Sequence, residues 1–318
     1  MNPELKLGSL SAKAGERVYG VHNLNLAGQA THVPVFLING AHDGPTLVVT
    51  GGIHGAEYAS IEAALQLGQS LDPRSLHGRV MVIPIVSMPA YQARAIYILP
   101  FDGKNLNRQF PGNPNGTASE QLAHWLTENV IKQADYYVDL HGGDLNEALE
   151  PFTLFQRGDD EETNAKSLEL ARVFGIKYLV GSEVKGTTVS AAAMLGVPGI
   201  LPESGGQGIW EPHQVQAHAE GIERVMRHLK MIDGGEPEAR ETVVMEQMRW
   251  LRSEHDGCHY PKVHIGDQVE EGQEVGQVKS FDGKLLESVK SPIDGTVLFV
   301  VTTLAINNGD PLLAIGAP

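Results

Sequence analysis

The chain has 318 residues, a formal charge of −15 and one cysteine, Cys258. The acidic balance argues against a nucleic-acid partner or an anionic membrane surface, because both need clustered Lys and Arg. A single cysteine excludes an internal disulfide. The first residues lack an apolar signal core, and no apolar run approaches the ~18 residues of a membrane span, so we expect a soluble cytoplasmic protein.

The first third of the chain predicts a hairpin followed by a strand, a helix and another strand. Two strands at 17–21 and 32–38 flank turn residues. A continuous apolar run at 46–50 is typical of a strand covered on both faces. Apolar residues at helical spacing follow over 57–68, and a second buried strand covers 79–86. This order indicates a crossover connection in a mixed or largely parallel sheet.

The middle of the chain continues this alternation after a long segment rich in Gly, Pro and Asn at 87–116, which we expect to be a functional loop. Thr117 and Glu120 form a capping box that opens a helix to about residue 133. Strands are predicted near 135–140, 177–181 and 199–203, and helices near 161–174, 187–195 and 212–230. We therefore predict an α/β fold with a mixed, largely parallel central sheet flanked by helices.

The last quarter of the chain has a different pattern. Residues 232–241 have the Gly, Pro and charge content of a linker. Residues 242–318 contain only short strands and turns, with Gly-Asp-x-Val and Ser-Pro-x-Asp-Gly segments similar to those of biotinyl and lipoyl carrier domains. The sequence thus predicts a catalytic domain at 1–231 and a small C-terminal all-β domain, a barrel of the biotinyl or lipoyl type, at 242–318.

Three predicted strands end on a polar side chain at a glycine-rich turn: His54, His141 and Glu203. Glu57 follows His54 by three residues, in what we expect to be the first helical turn. The carboxyl ends of strands in open α/β sheets meet at one crevice, so these residues can converge. Two histidines and one glutamate with an open fourth position form the ligand pattern of catalytic zinc.

Four motifs in this order resemble the succinylglutamate desuccinylase and aspartoacylase family, a branch of the zinc carboxypeptidase superfamily. The similarity extends over about residues 45–230, and the C-terminal β domain is similar to that branch as well. The motifs are His54-Gly-Ala-Glu57, Asn107-Arg108, Asp139-Leu-His141 and Pro202-Glu203-Ser-Gly-Gly.

The resemblance implies one zinc ion per chain, bound by His54, Glu57 and His141. It also implies that Glu203 takes a proton from the attacking water and delivers it to the leaving amine. A carboxylate base completes the proton transfers that amide hydrolysis needs. The sequence offers no Gly-x-Ser-x-Gly elbow, and Cys258 has no nucleophile motif around it, so the metal route is the one it supports.

The resemblance further assigns substrate binding to Asn107 and Arg108, because a guanidinium donates two parallel hydrogen bonds to a carboxylate. The superfamily also has an upstream arginine that polarises the scissile carbonyl, and Arg94 is the nearest candidate. We expect a small anionic N-acyl amino acid as the substrate.

Three positions depart from the superfamily pattern or leave alternatives open. Asn105 stands where the carboxypeptidases have an aspartate that orients a zinc histidine. Asp139 fits two roles, a carboxylate that orients His141 or a partner in a salt bridge at the strand end. For the tyrosine that assists the transition state, the only candidate that we name is Tyr260.

The leading hypothesis is a zinc-dependent amidohydrolase that deacylates a small N-acyl amino acid. A metallocarboxypeptidase that trims peptides is the alternative, with the same zinc and base. A non-enzymatic carrier is a third hypothesis, since Lys284 lies near the spacing of a lipoylated lysine, although its flanks differ from those of carriers. The acyl group, the amino acid and the oligomeric state, a homo-oligomer included, stay open.

Overall fold

The computed structural model describes residues 2–318. The strands are β1 Leu5–Leu7, β2 Leu10–Ala12, β3 Glu16–Leu26, β4 Gln29–Asn39, β5 His42–Gly51, β6 His77–Ile83, β7 Ile98–Leu99, β8 Lys104–Asn105, β9 Tyr136–Leu140, β10 Glu147–Leu149, β11 Phe152–Gln156, β12 Tyr178–Ser182, β13 Gly199–Glu203, β14 Val243–Met245, β15 Gln247–Arg252, β16 Gly257–Pro261, β17 Gln268–Val269, β18 Glu274–Lys279, β19 Leu285–Lys290, β20 Gly295–Val301, β21 Ala305–Ile306 and β22 Pro311–Ala317. The helices are α1 Tyr58–Ser70, α2 Met88–Ala93, α3 Ala118–Asn129, α4 Glu161–Phe174, α5 Thr188–Met194 and α6 Pro212–His228, with 3₁₀ turns at Leu106–Arg108 and Ile131–Gln133.

A nine-stranded sheet forms the centre of the molecule, in the order β14-β12-β11-β13-β9-β5-β6-β4-β3. Five of its neighbouring pairs are parallel, and three are antiparallel. The predicted α/β class with a mixed, largely parallel sheet is confirmed. The predicted hairpin is also present, as β3 and β4, with longer strands than the sequence indicated.

Helices cover both faces of this sheet. Successive residues of its buried strands point to opposite faces, so neighbouring residues of one strand belong to different cores. Val48 of β5 belongs to a core that includes residues of α3 and α5. Its neighbours Leu47 and Val49 belong to a second core with residues of α1, α4 and α6. This double coverage explains why the central strands have no polar alternation in the sequence.

The segment 87–116, predicted as one long loop, contains α2, the β7–β8 pair and a 3₁₀ turn. The prediction of a loop without secondary structure is wrong. The sequence did not reveal these elements, because elements of two to six residues are too short to show a hydrophobic period. At the start of α3, the Glu120 carboxylate accepts a hydrogen bond from the backbone N–H of Thr117, which is the glutamate half of the predicted capping box.

The C-terminal part forms two further sheets, one of β10, β20, β22, β15 and β17 and the other of β19, β18, β16 and β21. Strands cross between the two parts of the chain. The strand β14 pairs with β12 of the central sheet, and β10 pairs with β20 of the C-terminal sheet. The division into 1–231, 232–241 and 242–318 stays a prediction. Among residues 2–318, no helix has the length and apolar character to cross a bilayer.

Candidate active site

The turn after β5 places His54 and Glu57 on one side of the sheet edge. Gly52 has a φ of +62°, and a Cβ there would lie 3.0 Å from Cα of Ile85, so the turn favours glycine. Glu57 directly precedes α1 as its N-cap residue, and its side chain makes no capping hydrogen bond. The carboxylate is therefore available to the site, at a helix terminus that favours negative charge.

The ends of β9 and β13 bring His141 and Glu203 together. The two strands are parallel neighbours, and His141 and Glu203 form a further parallel bridge beyond them. A Cβ on Gly142 would lie 2.4 Å from the carbonyl oxygen of Ser204, so a side chain at 142 would force the two chain segments apart. The predicted convergence of distant strand ends is thus present in the structure.

His54, Glu57 and His141 form a compact cluster whose potential ligand atoms lie within 4.8 Å of one another. Nδ1 of His54 is 2.7 Å from Oε1 of Glu57, and Nδ1 of His141 is 3.0 Å from Oε2 of the same carboxylate. The two imidazoles therefore turn the same ring nitrogen towards one carboxylate. This arrangement could hold a metal ion.

The outer nitrogen of each imidazole has its own partner. Nε2 of His54 lies 3.1 Å from Oδ1 of Asn105, and Nε2 of His141 lies 2.9 Å from Oδ2 of Asp139. An acceptor on Nε2 fixes the proton there and leaves the Nδ1 lone pair for a metal. Asn105 thus offers an amide oxygen to His54, and Asp139 contacts His141; that Asp139 orients this ring stays a prediction.

Mutual charge interactions dominate the titration of this cluster. Burial raises the pKa of the Glu57 carboxyl, but the neighbouring His141 and His54 outweigh burial and bring it down to about 2. Burial lowers the pKa of His141, but the carboxylates of Glu57 and Asp139 outweigh it, so this pKa lies well above the ordinary value. The cluster therefore holds the Glu57 carboxylate as an anion between two imidazoles, each of which has to lose any proton on Nδ1 when a metal binds.

Glu203 faces the cluster with one oxygen unused. Its Oε2 is buried and has no hydrogen-bond partner among residues 2–318. Burial raises the pKa of this carboxyl well above the ordinary value, with the charges of Glu57 and Glu147 acting in the same direction and His141 opposing them. A buried carboxyl oxygen without a partner can accept a proton from a bound molecule.

Asn107 and Arg108 lie in the 3₁₀ turn beside this cluster. Oδ1 of Asn107 accepts a hydrogen bond from the backbone N–H of Thr188, so this side chain holds the start of α5. Burial lowers the pKa of the Arg108 guanidinium, Arg252 acts in the same direction, and Glu203 raises it. Arg108 is therefore close enough to Glu203 to interact with its charge, and Arg252 of β15 lies within the same range.

The structure does not bring Arg94, Tyr260 or Lys284 into this cluster. Arg94 lines a different pocket, together with Tyr58 and Trp210. Tyr260 is exposed on β16, with Nζ of Lys279 lying 4.7 Å from the centre of its ring. Lys284 lies in the exposed turn between β18 and β19.

Tyr97 and Glu147 border the site, and neither was predicted from the sequence. The Tyr97 ring stands edge-on to the His54 ring, with centroids 6.5 Å apart. Its hydroxyl donates to Oε1 of Glu147 at 2.6 Å. Burial, together with the charges of Glu57 and Asp144, raises the pKa of the Glu147 carboxyl to about 7. The only possible signal was the carboxylate itself, six residues after His141 and without a recognisable motif.

A family model for the succinylglutamate desuccinylase/aspartoacylase catalytic domain matches residues 43–229. This segment contains all seven residues that the sequence predicted for the site.

Similar proteins cover nearly the whole chain. N-alpha-acetyl-L-2,4-diaminobutyric acid deacetylase of Halomonas elongata is 29% identical over 304 residues, which are 93% of this chain and 88% of that protein. A succinylglutamate desuccinylase/aspartoacylase structure from Rhodobacter sphaeroides is 26% identical, with a TM-score of 0.85 and 95% coverage of both chains. The product-bound ectoine utilization protein EutE (DoeB) of Ruegeria pomeroyi is 24% identical, with a TM-score of 0.86 and 95% coverage of both chains, and shares the fold.

Proposed function

The chain belongs to the succinylglutamate desuccinylase/aspartoacylase family, and from that premise we propose that it is a zinc-dependent amidohydrolase that removes the acyl group from a small N-acyl amino acid. The observation that carries this proposal is the convergence of His54 and His141 on the Glu57 carboxylate, beside the unpartnered oxygen of Glu203.

The donor set fits zinc. Two imidazole nitrogens and a carboxylate are borderline and hard ligands of the kind that zinc takes in hydrolases, and three protein ligands leave a position open. Asn105 and Asp139 hold the outer ring nitrogens, as the partners of metal-binding histidines do. When bound, Zn²⁺ supplies Lewis-acid polarisation of the amide carbonyl and lowers the pKa of a coordinated water to about 7.

Glu203 acts as the general base and then as the general acid. Its Oε2 accepts the proton of the attacking water, and the protonated carboxyl delivers it to the amine that leaves. Burial keeps the carboxyl out of bulk water, and the raised pKa makes it a stronger proton acceptor than an exposed glutamate. Removal of such a group typically costs a factor of about 10² to 10⁴ in rate.

Arg108 binds the carboxylate of the amino acid part of the substrate. Its guanidinium lies within electrostatic range of Glu203 and of Arg252, and a second positive charge near a substrate carboxylate favours its binding in a chain that is otherwise acidic. Arg94 has no part in the proposed mechanism, because it lines a pocket that none of the zinc-binding residues shares.

The substrate is small because the C-terminal sheet borders the site. Glu147, next to Tyr97, begins β10, and β10 is hydrogen-bonded to β20 of that sheet. The Halomonas elongata relative is named for the deacetylation of N-alpha-acetyl-L-2,4-diaminobutyric acid. N-acetyl amino acids of this size are therefore our first candidates.

The test is a hydrolysis screen with zinc-loaded protein. It includes N-acetyl-L-2,4-diaminobutyrate, N-acetyl-L-aspartate, N-succinyl-L-glutamate and a blocked dipeptide with a free C-terminal carboxylate, and it measures release of the free amine. We expect turnover of at least one N-acyl amino acid and little of the dipeptide. Preferred cleavage of the dipeptide would replace the proposal with the metallocarboxypeptidase, and absence of all hydrolysis would contradict both.

A further inference from the structure

A pocket of about 590 Å³ lies on the outer face of α1, next to α2 and to Trp210. Its volume is in the range of small-molecule sites. Its lining includes Tyr58, Glu62, Tyr91 and Arg94, but none of the zinc-binding residues and not Glu203. The two sites therefore have different lining residues, with Tyr58 of the pocket directly following Glu57 in the chain.

Three aromatic rings form the walls of this pocket. The Tyr91 ring is 6.2 Å from the Tyr58 ring at an interplanar angle of 87°, and the Trp210 ring is 6.0 Å from it at 81°. Trp210 is 57% exposed, which is unusual for so large an apolar side chain. Both pairs pack edge to face, so the exposed part of the Trp210 ring borders the pocket, and an aromatic face attracts an ammonium group.

Two opposite charges line the same pocket without pairing. Within residues 2–318, the guanidinium of Arg94 makes no hydrogen bond and no ion pair, and Glu62 is not its partner. Oε1 of Glu62 accepts only from the side chain of Gln66. A guanidinium with free donors binds a carboxylate through two parallel hydrogen bonds, and a carboxylate beside aromatic faces suits an ammonium group.

An apolar surface completes the pocket. Ile61 and Leu65 follow Tyr58 at helical spacing on α1 and line the same space. The lining thus offers one small ligand a guanidinium that binds an anion, a carboxylate that binds a cation, and an apolar wall. We propose that this pocket is a second binding site that takes a free α-amino acid with an apolar side chain as its zwitterion. Acylation of the α-amine removes the positive charge, so the pocket discriminates free amino acids from N-acyl amino acids.

The test is calorimetric binding of three probes that share one side chain to the zinc-loaded, full-length Glu203→Gln variant, which should retain zinc without hydrolysing an N-acyl amino acid. L-phenylalanine carries both charges, N-acetyl-L-phenylalanine only the carboxylate, and L-phenylalaninamide only the ammonium. We expect L-phenylalanine to bind at least tenfold more tightly than either single-charge probe, the change that loss of one charged hydrogen bond produces.

Variants assign this binding to the pocket. Arg94→Gln and Glu62→Gln each weaken L-phenylalanine binding at least tenfold, and Arg94→Gln leaves L-phenylalaninamide binding unchanged. Arg74→Gln, an exposed arginine paired with Asp72 elsewhere on the surface, is the matched control without effect. Arg108→Ala also leaves the binding unchanged, because Arg108 belongs to the candidate active site.

Four results would overturn the inference. The first is absence of L-phenylalanine binding at millimolar concentration, and the second is equal binding of the N-acetyl probe. The third is loss of L-phenylalanine binding in Arg108→Ala but not in Arg94→Gln. The fourth is a change of molecular mass in solution on Trp210→Ala, which would make the pocket a contact between copies of the chain.

Discussion

Oδ2 of Asp139 lies 2.9 Å from Nε2 of His141, and both side chains are buried. Asp139 is itself held by the hydroxyls of Thr50 and Thr188, which donate to its two oxygens. The carboxylate is thereby fixed as an acceptor, so His141 keeps its proton on Nε2. The Nδ1 atom of His141, on the side of the ring that faces Glu57, is then free to bind a metal.

Asp139→Asn should weaken zinc binding by a factor of about 10 to 100, the usual cost of losing the outer partner of a metal-binding histidine. An asparagine can turn its amide towards Nε2 and favour the wrong tautomer. Competition with a chelating dye measures the affinity. Asp135→Asn, on the same segment but exposed, is the matched control. Equal zinc affinity in both variants would show that Asp139 does not orient His141.

Glu203→Gln should reduce turnover at least about a hundredfold while zinc binding is retained, because the amide keeps the shape but cannot accept the proton. Steady-state kinetics and metal analysis on the same preparation separate the two effects. Turnover near that of the wild type would mean that another residue is the base, and Glu147 would then be examined first.

Arg108→Ala should abolish the preference for a free carboxylate. The measurement compares kcat/KM for an N-acyl amino acid and for its α-amide, in the wild type and in the variant. The wild type should prefer the acid by roughly ten- to a hundredfold, equivalent to the ~1.5–3 kcal/mol of a charged hydrogen bond. Arg108→Lys should also be poor, since an ammonium lacks the planar fork. An equal loss on acid and amide would indicate that Arg108 acts on the carbonyl or holds the loop.

The C-terminal sheets should lose stability in mild acid through His259. This side chain is 2% exposed, and burial lowers its pKa to about 4. The folded pKa lies below the unfolded value of about 6.5, so protons bind the unfolded chain first. The contribution is fully present above pH 6.5 and is lost as the pH falls towards 4, by roughly 2 kcal/mol at pH 5.

Urea unfolding at pH 8 and pH 5 measures this loss, followed by fluorescence of Trp250 on β15 in a Trp125→Phe/Trp210→Phe background. His259→Phe should reduce the difference between the two pH values, and His264→Phe, at an exposed position, should not. The same pH difference in wild type and His259→Phe would assign the acid sensitivity to other groups.

The sequence predicted the centre of the site because each of its parts has a local signal. Apolar runs that stop at glycines located His54, His141 and Glu203 at strand ends, and the α/β class implied that such ends meet. The exchange of β10 and β14 between the two parts of the chain has no local signal, because each strand pairs with a strand far away in the sequence, β10 with β20 and β14 with β12. The same holds for Tyr97, which contacts Glu147 from a segment without periodicity.

The position of Arg94 shows where the sequence became insufficient. The resemblance required an arginine upstream of Asn107, but it did not fix the path of the intervening chain. In the structure Arg94 ends α2 with a φ of +53°, and its side chain lies on the outer face of α1. The role of polarising the carbonyl stays a prediction for which no arginine within this site has been assigned.

The most direct test of the proposed function is a zinc titration of chelator-treated wild type and His141→Ala, with amide hydrolysis of an N-acyl amino acid measured at each point. We predict that wild-type activity returns with zinc and reaches its maximum at about one equivalent per chain, the stoichiometry of a three-ligand catalytic site. His141→Ala should neither retain zinc nor recover activity. Full activity of the metal-free wild type, or full zinc occupancy in His141→Ala, would contradict the proposal.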